Sequence, residues 1–106
     1  VTDAPTSTFA VLSPSGPMGV PQAPAAPRPE SMEGRKIALV WNHVFRGDEI
    51  FPVVEDALRE RFGGVEFVGY DTFGSIMGGG EEEVLEALPG KLAALSVDGV
   101  LTGIGC

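Results

Sequence analysis

The chain has one cysteine, Cys106, and one histidine, His43, among its 106 residues. A single cysteine excludes an internal disulfide and a cysteine-based zinc cage, and no cluster of His, Cys, Asp and Glu has the spacing of metal ligands. The sequence therefore predicts no metal site. Basic residues are also scarce, with seven Lys and Arg against fifteen Asp and Glu and a net charge of −8. Without a basic stripe, we expect neither nucleic acid nor an anionic membrane surface as a partner.

Long apolar runs are missing as well. No run approaches the roughly 20 residues of a membrane-spanning helix, and the N-terminus lacks the charged and apolar regions of a secretory signal. These absences favour a soluble, cytoplasmic protein. Proline is concentrated instead in residues 1–34, which hold seven of the nine. Because this Pro/Ala-rich segment has no hydrophobic period, we expect it to be disordered or extended, which leaves residues 35–106 as the folded domain.

Three short apolar runs divide residues 35–106 and are typical of strands covered on both faces. They are Ile37–Trp41, Val65–Tyr70 and Asp98–Gly103. The segments between them place apolar residues three and four positions apart, as amphipathic helices do. The order strand, helix, strand, helix, strand predicts an α/β fold. We expect a three-stranded parallel sheet with right-handed crossovers, half of a doubly wound Rossmann- or flavodoxin-like fold.

Local features of the two predicted helices bear on where they begin, on their continuity and on phosphate binding. Asp48 is expected to be the N-cap of the first helix. Pro89 is expected to kink or split the second helix, whose inner face should include Leu85. Three glycines, Gly78–Gly80, precede the second helix, but neither GxGxxG nor GxxxxGK[ST] is present, and three glutamates follow at the positive helix end. A phosphate loop is therefore rejected, and no cofactor is predicted.

The carboxyl ends of parallel strands lie at one edge of a sheet, where open α/β folds bind their ligands. Three predicted loops meet there. They contribute Asn42 and His43 after the first strand, Tyr70 and Asp71 after the second, and Gly103, Gly105 and Cys106 after the third. We predict that Gly103 and Gly105 belong to a substrate-binding site at this edge, and that Cys106 is its candidate catalytic thiol.

Four polar residues of this edge are further candidates for the substrate-binding site. His43 could act as an acid or base or stabilise a thiolate, or it could simply form loop hydrogen bonds. Asn42 could bind a ligand carbonyl or stabilise a turn. Arg46 could hold a substrate carboxylate, or pair with nearby acids on the surface. Asp71 completes the candidate set.

Three stretches of the sequence together resemble the UGSC family. They are Glu33–Asn42 (EGRKIALVWN), Phe45–Phe51 (FRGDEIF) and Thr102–Cys106 (TGIGC). The resemblance covers about residues 30–106 and implies a small α/β protein. The family is named for selenocysteine or cysteine followed by Gly-Ser-Cys, in the turn after the third strand. That motif is absent here, so we expect Cys106 to precede directly a selenocysteine whose UGA codon was taken as a stop, and the chain to be a truncated selenoprotein.

The resemblance implies thiol or selenol redox chemistry, or reductive cleavage, on a small-molecule substrate that the sequence does not identify. Cys106 would then flank the reactive residue. A second interpretation is a binding module without catalysis, in which Asn42, His43 and Asp71 hold a small organic acid, an amide or a partner protein. A third is a homo-oligomer, because the third strand has no predicted neighbour and an unpaired apolar edge invites pairing.

Overall fold

A computed structural model describes residues 7–17 and 19–106. Residues 7–17 and 19–35 contain no helix or strand, and nearly all of them are exposed to solvent. The disorder expected for residues 1–6 and for Met18 lies outside the described residues. The first strand begins at Lys36.

Three parallel strands form one sheet in the order β2-β1-β3. They are β1 Lys36–Trp41, β2 Glu66–Val68 and β3 Gly99–Gly103. Strand β1 lies in the middle, with Lys36 opposite Glu66 of β2 and Ile37 opposite Gly99 of β3. Its five apolar residues are all buried, since a central strand is covered on both faces. The predicted α/β fold with a three-stranded parallel sheet is confirmed.

Two helices, α1 Gly47–Arg61 and α2 Glu81–Ala94, cover opposite faces of the sheet. On one face, Leu39 and Trp41 of β1 pack against Phe51 of α1. On the other face, Ala38 and Val40 form a cluster with residues from α2 and the loops beside it. Side chains along a strand alternate between faces, so the continuous apolar run of β1 supplies both clusters.

The connections from β1 to β2 and from β2 to β3 run to opposite sides of β1. The strand order is that of the first three strands of a flavodoxin-like sheet, which reverses between β1 and β3. Strand β3 is an edge strand that α2 leaves partly uncovered, as the 46% exposure of Val100 shows. The carboxyl ends of β1 and β3 therefore mark the position in this fold where a ligand site is expected.

Helix α2 differs from two of the expectations. It is continuous from Glu81 to Ala94, so Pro89 does not split it. The carbonyl four residues before a proline loses its helical hydrogen bond, and here it belongs to Leu85, a residue that is 49% exposed. Leu85 is thus not on the inner face. Leu88 and Leu92 hold α2 against the sheet on either side of the proline.

Two local features nearer the sheet also differ from expectation. Arg46, not Asp48, is the N-cap of α1, and Asp48 lies in the first turn, where its charge complements the helix dipole. Strand β2 is shorter than predicted, because Tyr70–Thr72 forms a 3-10 turn. That turn directs Phe73 into the cluster of Ala38 and Val40, where it is 2% exposed. The loop between β2 and α2 is therefore anchored in the core.

Candidate functional site

Asn42 is the first residue after β1, and its side chain joins the loops that follow β1 and β3. Its Oδ1 accepts the backbone N–H of Val44 at 3.1 Å and that of Gly105 at 3.1 Å. Its Nδ2 donates to the carbonyl oxygen of Gly105 at 2.9 Å. Asn42 is 3% exposed. We call this arrangement of Asn42, Val44 and Gly105 the Asn42 clamp.

Backbone contacts of Asn42 extend the connection to a third loop. The N–H of Asn42 donates to the carbonyl oxygen of Gly103 at 3.3 Å. The hydroxyl of Ser75, in the loop between β2 and α2, lies 3.2 Å from the carbonyl oxygen of Asn42 and 2.8 Å from that of Met77, and its single proton can be donated to one of them at a time. Asn42 thus contacts both other loops that reach the strand ends. In the sequence, the hydroxyl of Ser75 carries only a weak signal, because a serine in a glycine-rich loop is ordinary turn chemistry.

Two glycines make the close approach of these loops possible. A Cβ at Gly105 would lie 2.8 Å from the carbonyl carbon of Val44 and 2.8 Å from the Cβ of Phe45. A Cβ at Gly103 would lie 2.7 Å from Cζ of Phe51. Neither position has room for a side chain without a shift of its neighbours. The structure brings Gly103 and Gly105 together with Asn42, and Cys106 follows directly as an exposed free thiol.

His43 lies on an aromatic cluster at the same edge of the sheet. Its ring stacks on Trp41 with 4.7 Å between centroids, and Tyr70 meets both rings edge-on. His43 is exposed, and its backbone is left-handed, with φ of 58°; Phe45 is also left-handed, with φ of 65°. Such conformations in residues other than glycine cost energy and concentrate at functional sites. The β1 loop is therefore held in an unusual shape by the contacts on either side of it.

Arg46 and Asp71 are not among the residues of the Asn42 clamp. Arg46 caps α1 and pairs through Nε with Oε2 of Glu49 at 3.3 Å. Both side chains are about two-thirds exposed, so the pair contributes little to stability. Asp71 is exposed in the turn after β2, and β2 and β3 flank β1 on opposite sides. Of the two uses considered for Arg46, the structure contains the surface ion pair.

An apolar pocket of about 260 Å³ lies beside the clamp, on the face covered by α1. Its walls come from the β1 loop, the first two turns of α1 and the segment from Leu101 to Gly105. These wall residues include no charged side chain, and Trp41 Nε1 already donates to the carbonyl oxygen of Val44 at 3.1 Å. The pocket was not predicted from the sequence. The signal for it in the sequence is the spacing of Ile50 and Val54 on α1, because these residues widen the apolar stripe of the helix beyond Phe51.

In the described part of the chain, no three side chains of the types His, Cys, Asp and Glu come together as a metal ion would need. Nor does any helix there have the length and apolar character to cross a membrane.

The sequence model of the UGSC family matches residues 10–106. This range contains all three strands, both helices and every residue of the Asn42 clamp. No curated protein and no solved structure matches the chain.

Proposed function

The chain belongs to the UGSC family, and we propose that its site at the carboxyl ends of β1 and β3 serves thiol or selenol redox chemistry on a small molecule. The observation that carries the proposal is the Asn42 clamp. It fixes Gly105 by two hydrogen bonds, so the chain leaves β3 through an ordered turn at the reversal point of the sheet. A reactive residue after Cys106 would start from a defined position.

The proposed reaction is a reductive cleavage. A selenolate or thiolate attacks an electrophilic atom of the substrate, forms a bond to it and expels the leaving group with its electron pair. A second, neighbouring thiolate then attacks the selenium or sulfur, forming a selenenylsulfide or disulfide. The released substrate keeps the electron pair and takes up a proton. A dithiol reductant from outside the protein restores the oxidised pair by exchange, so the substrate gains two electrons in each cycle.

The residues of the strand ends have separate parts in this proposal. Asn42 is a positioning residue, since its side-chain bonds go to the protein backbone. His43, exposed above Trp41, is the candidate for proton transfer to the leaving group. Gly103 and Gly105 let backbone and substrate approach closely. Arg46 and Asp71 contribute to substrate binding only at its periphery.

Alkylation of an extended chain tests the proposal. A chain continued past Cys106 through selenocysteine, Gly, Ser and Cys should react with iodoacetamide at about pH 6 on the order of 100-fold faster than the 106-residue chain. The reason is that an ordinary thiol, with a pKa of ~8.5, is mostly protonated there whereas a selenol is ionised. Mass spectrometry locates the label. Cys106→Ser in the extended chain is the control and should leave the fast reaction intact.

Two results would count against the redox proposal. One is equal, slow alkylation of the extended and 106-residue chains. The other is a nucleotide sequence in which no Gly-Ser-Cys is encoded beyond codon 106. A fast reaction that disappears in Cys106→Ser would keep thiol chemistry and would assign the nucleophile to Cys106 instead of its neighbour.

A binding module without catalysis is the second candidate, and the apolar pocket favours it. A pocket with apolar walls and a few polar groups at its border is the usual form of a small-molecule site, whether or not chemistry follows. Calorimetric titration of the 106-residue chain with lactate and with propionamide separates the acid and amide ligands considered for such a module. Saturable heat from either, together with slow alkylation of the extended chain, would favour the module; no heat from both would count against it.

A further inference from the structure

We propose that the apolar pocket binds the ring or branched aliphatic end of an uncharged molecule, and that this end selects the substrate. The inference rests on the proposed function in one respect: it takes this ligand to be the substrate of the site at the carboxyl ends of β1 and β3. The binding itself follows from the size, walls and electrostatic surroundings of the pocket. It favours an uncharged molecule over the small organic acid considered from the sequence.

The size of the pocket sets the first limit. Its volume is about 260 Å³. An apolar cavity of about 150 Å³ is enough to hold benzene. The pocket therefore has room for a six-membered ring with a short substituent, while a nucleotide or a peptide of several residues would extend far outside it.

The walls set the second limit. Trp41 and Phe51, which are both buried, meet Leu101 of β3 in one hydrophobic cluster and face the pocket. The one indole N–H is already used by the carbonyl oxygen of Val44. Thr102 bears the only side-chain hydroxyl among the wall residues, and it is in register with Val40, so its side chain lies on the other face of the sheet. A charged group that entered would lose its hydration with no ionic partner to replace it, which is strongly unfavourable.

The charges around the pocket set the third limit. Asp48 and Glu49 occupy the first turn of α1, directly after Gly47 of the pocket wall. The nearest base in the sequence, Arg46, is already paired with Glu49. The whole chain carries a net charge of −8. A carboxylate ligand is therefore opposed by its neighbours as well as by the walls.

The border of the pocket explains why binding would be favourable. Phe45, Ile50 and Ile104 are wall residues that remain 69%, 48% and 73% exposed. An apolar ligand would remove part of these three side chains from water, at roughly 25 cal/mol for each Å² covered. Cys106 follows Ile104 and Gly105 in the chain, so the other end of the ligand would lie toward the residues that the redox proposal requires.

Fluorescence titration of the 106-residue chain tests the inference, because Trp41 is its only tryptophan and forms part of the pocket wall. The probes are benzyl alcohol and benzoate, which share a ring and differ in charge. Benzyl alcohol should change the Trp41 emission saturably, and benzoate should bind at least about tenfold more weakly, as the burial of an unpaired charge requires.

A pair of adjacent variants locates the binding. Val54→Phe places a larger ring in the pocket wall and should abolish the response to benzyl alcohol. Val53→Phe is the matched control, since Val53 is 67% exposed and lies outside the pocket wall. It should bind benzyl alcohol like the natural chain. Circular dichroism shows whether both variants are folded. If Val54→Phe is unfolded, the ratio of the affinities of the natural chain for benzyl alcohol and benzoate still tests the inference.

Three results would overturn the inference: no saturable response to benzyl alcohol, equal affinity for the two probes, or an equal loss of binding in Val53→Phe and Val54→Phe when both are folded. Sedimentation of the ligand-free chain as a dimer whose Trp41 emission no longer responds to benzyl alcohol would assign the pocket to a second copy, and would also overturn it. Binding of benzyl alcohol alongside slow alkylation of the extended chain would remove the redox proposal and leave the pocket assignment standing. Fast alkylation of the extended chain without binding of benzyl alcohol would remove the pocket assignment and leave the redox proposal standing.

Discussion

Replacing Asn42 by leucine is expected to lower the free energy of unfolding by about 3 kcal/mol. Leucine has nearly the same shape, so the change removes hydrogen bonds with little effect on packing. The N–H groups of Val44 and Gly105 and the carbonyl of Gly105 would lose their partner. Both residues are only partly buried, so each lost bond should cost about 1 kcal/mol, the lower end for an unpaired group. Urea unfolding followed by Trp41 fluorescence measures the effect.

The matched control is Asp71→Leu, which makes a similar polar-to-apolar change at an exposed residue after β2. It should alter the free energy of unfolding by less than about 0.5 kcal/mol, as surface substitutions usually do. If Asn42→Leu unfolds at the same urea concentration as the natural chain, the β1 and β3 loops are held by backbone contacts alone. The Asn42 clamp would then not be the feature that orders the turn before Cys106.

Hydrogen exchange gives the same variant a second readout that bears on function. The amide of Gly105 donates to Asn42 Oδ1 and should exchange slowly in the natural chain. In Asn42→Leu it should exchange much faster, while amides of β1 in the sheet centre keep their protection. Local loss of this kind would show that Asn42 positions the segment leading to Cys106, beyond any effect on the fold as a whole.

The fold could be predicted in outline because its elements have strong local patterns. The continuous apolar run of β1 and the one-faced pattern of α1 follow from burial on two faces and on one face, respectively. Strand β3 also has an apolar centre, Val100 and Leu101, but it lies at an edge, with Val100 46% exposed. Composition does not distinguish a central strand from an edge strand when the covering elements come from other parts of the chain.

Phe73 shows why the loop between β2 and α2 could not be predicted. It stands between a 3-10 turn and a glycine-rich stretch, and no periodicity marks it as a core residue. Its burial depends on contacts distant in sequence: Ser75 pairs with Trp41 as an isolated bridge, and the N–H of Ile76 donates to the carbonyl oxygen of Trp41 at 3.4 Å. Such contacts form only after the sheet has brought the two segments together.

The candidate site was predicted in location more fully than in the roles of its residues. Parallel strand ends share an edge, so the meeting of Asn42 with Gly103 and Gly105 follows from the strand assignments. Whether an asparagine there bonds a ligand or the backbone depends on distances that a sequence does not contain. The pocket is harder still, since Ile50, Val54 and Leu101 come from two elements and only their packing leaves a space between them.

At Gly47, helix propensity and packing predict opposite effects of an alanine substitution on the free energy of unfolding. It is the first residue of α1, and alanine is more favourable than glycine in a helix by about 1 kcal/mol. A Cβ at Gly47, however, would lie 2.6 Å from Nε1 and 2.7 Å from Cδ2 of Trp41. Trp41 is 7% exposed and is held by Phe51, Tyr70 and its bond to Val44, so its ring has little freedom to move away.

We expect packing to prevail, so that Gly47→Ala lowers the free energy of unfolding by about 3 kcal/mol, the upper end for an overpacked core. The emission of Trp41 should shift as well, because its ring must turn or its neighbours must separate. Urea unfolding measures the first effect and the emission spectrum the second. Gly90→Ala in α2 is the control: nothing lies within 4 Å of its added Cβ, so it should raise stability by about 0.5–1 kcal/mol.

The sign of the Gly47→Ala effect also bears on the pocket, because Gly47 and Trp41 both form its wall. A Gly47→Ala chain that is more stable than the natural one would show that the indole can rotate to make room for a methyl group. A ring that moves so easily would leave the pocket without a fixed wall, and the preference for benzyl alcohol over benzoate would then lose its structural basis. Destabilisation together with an altered Trp41 emission is the combination that a rigid pocket requires.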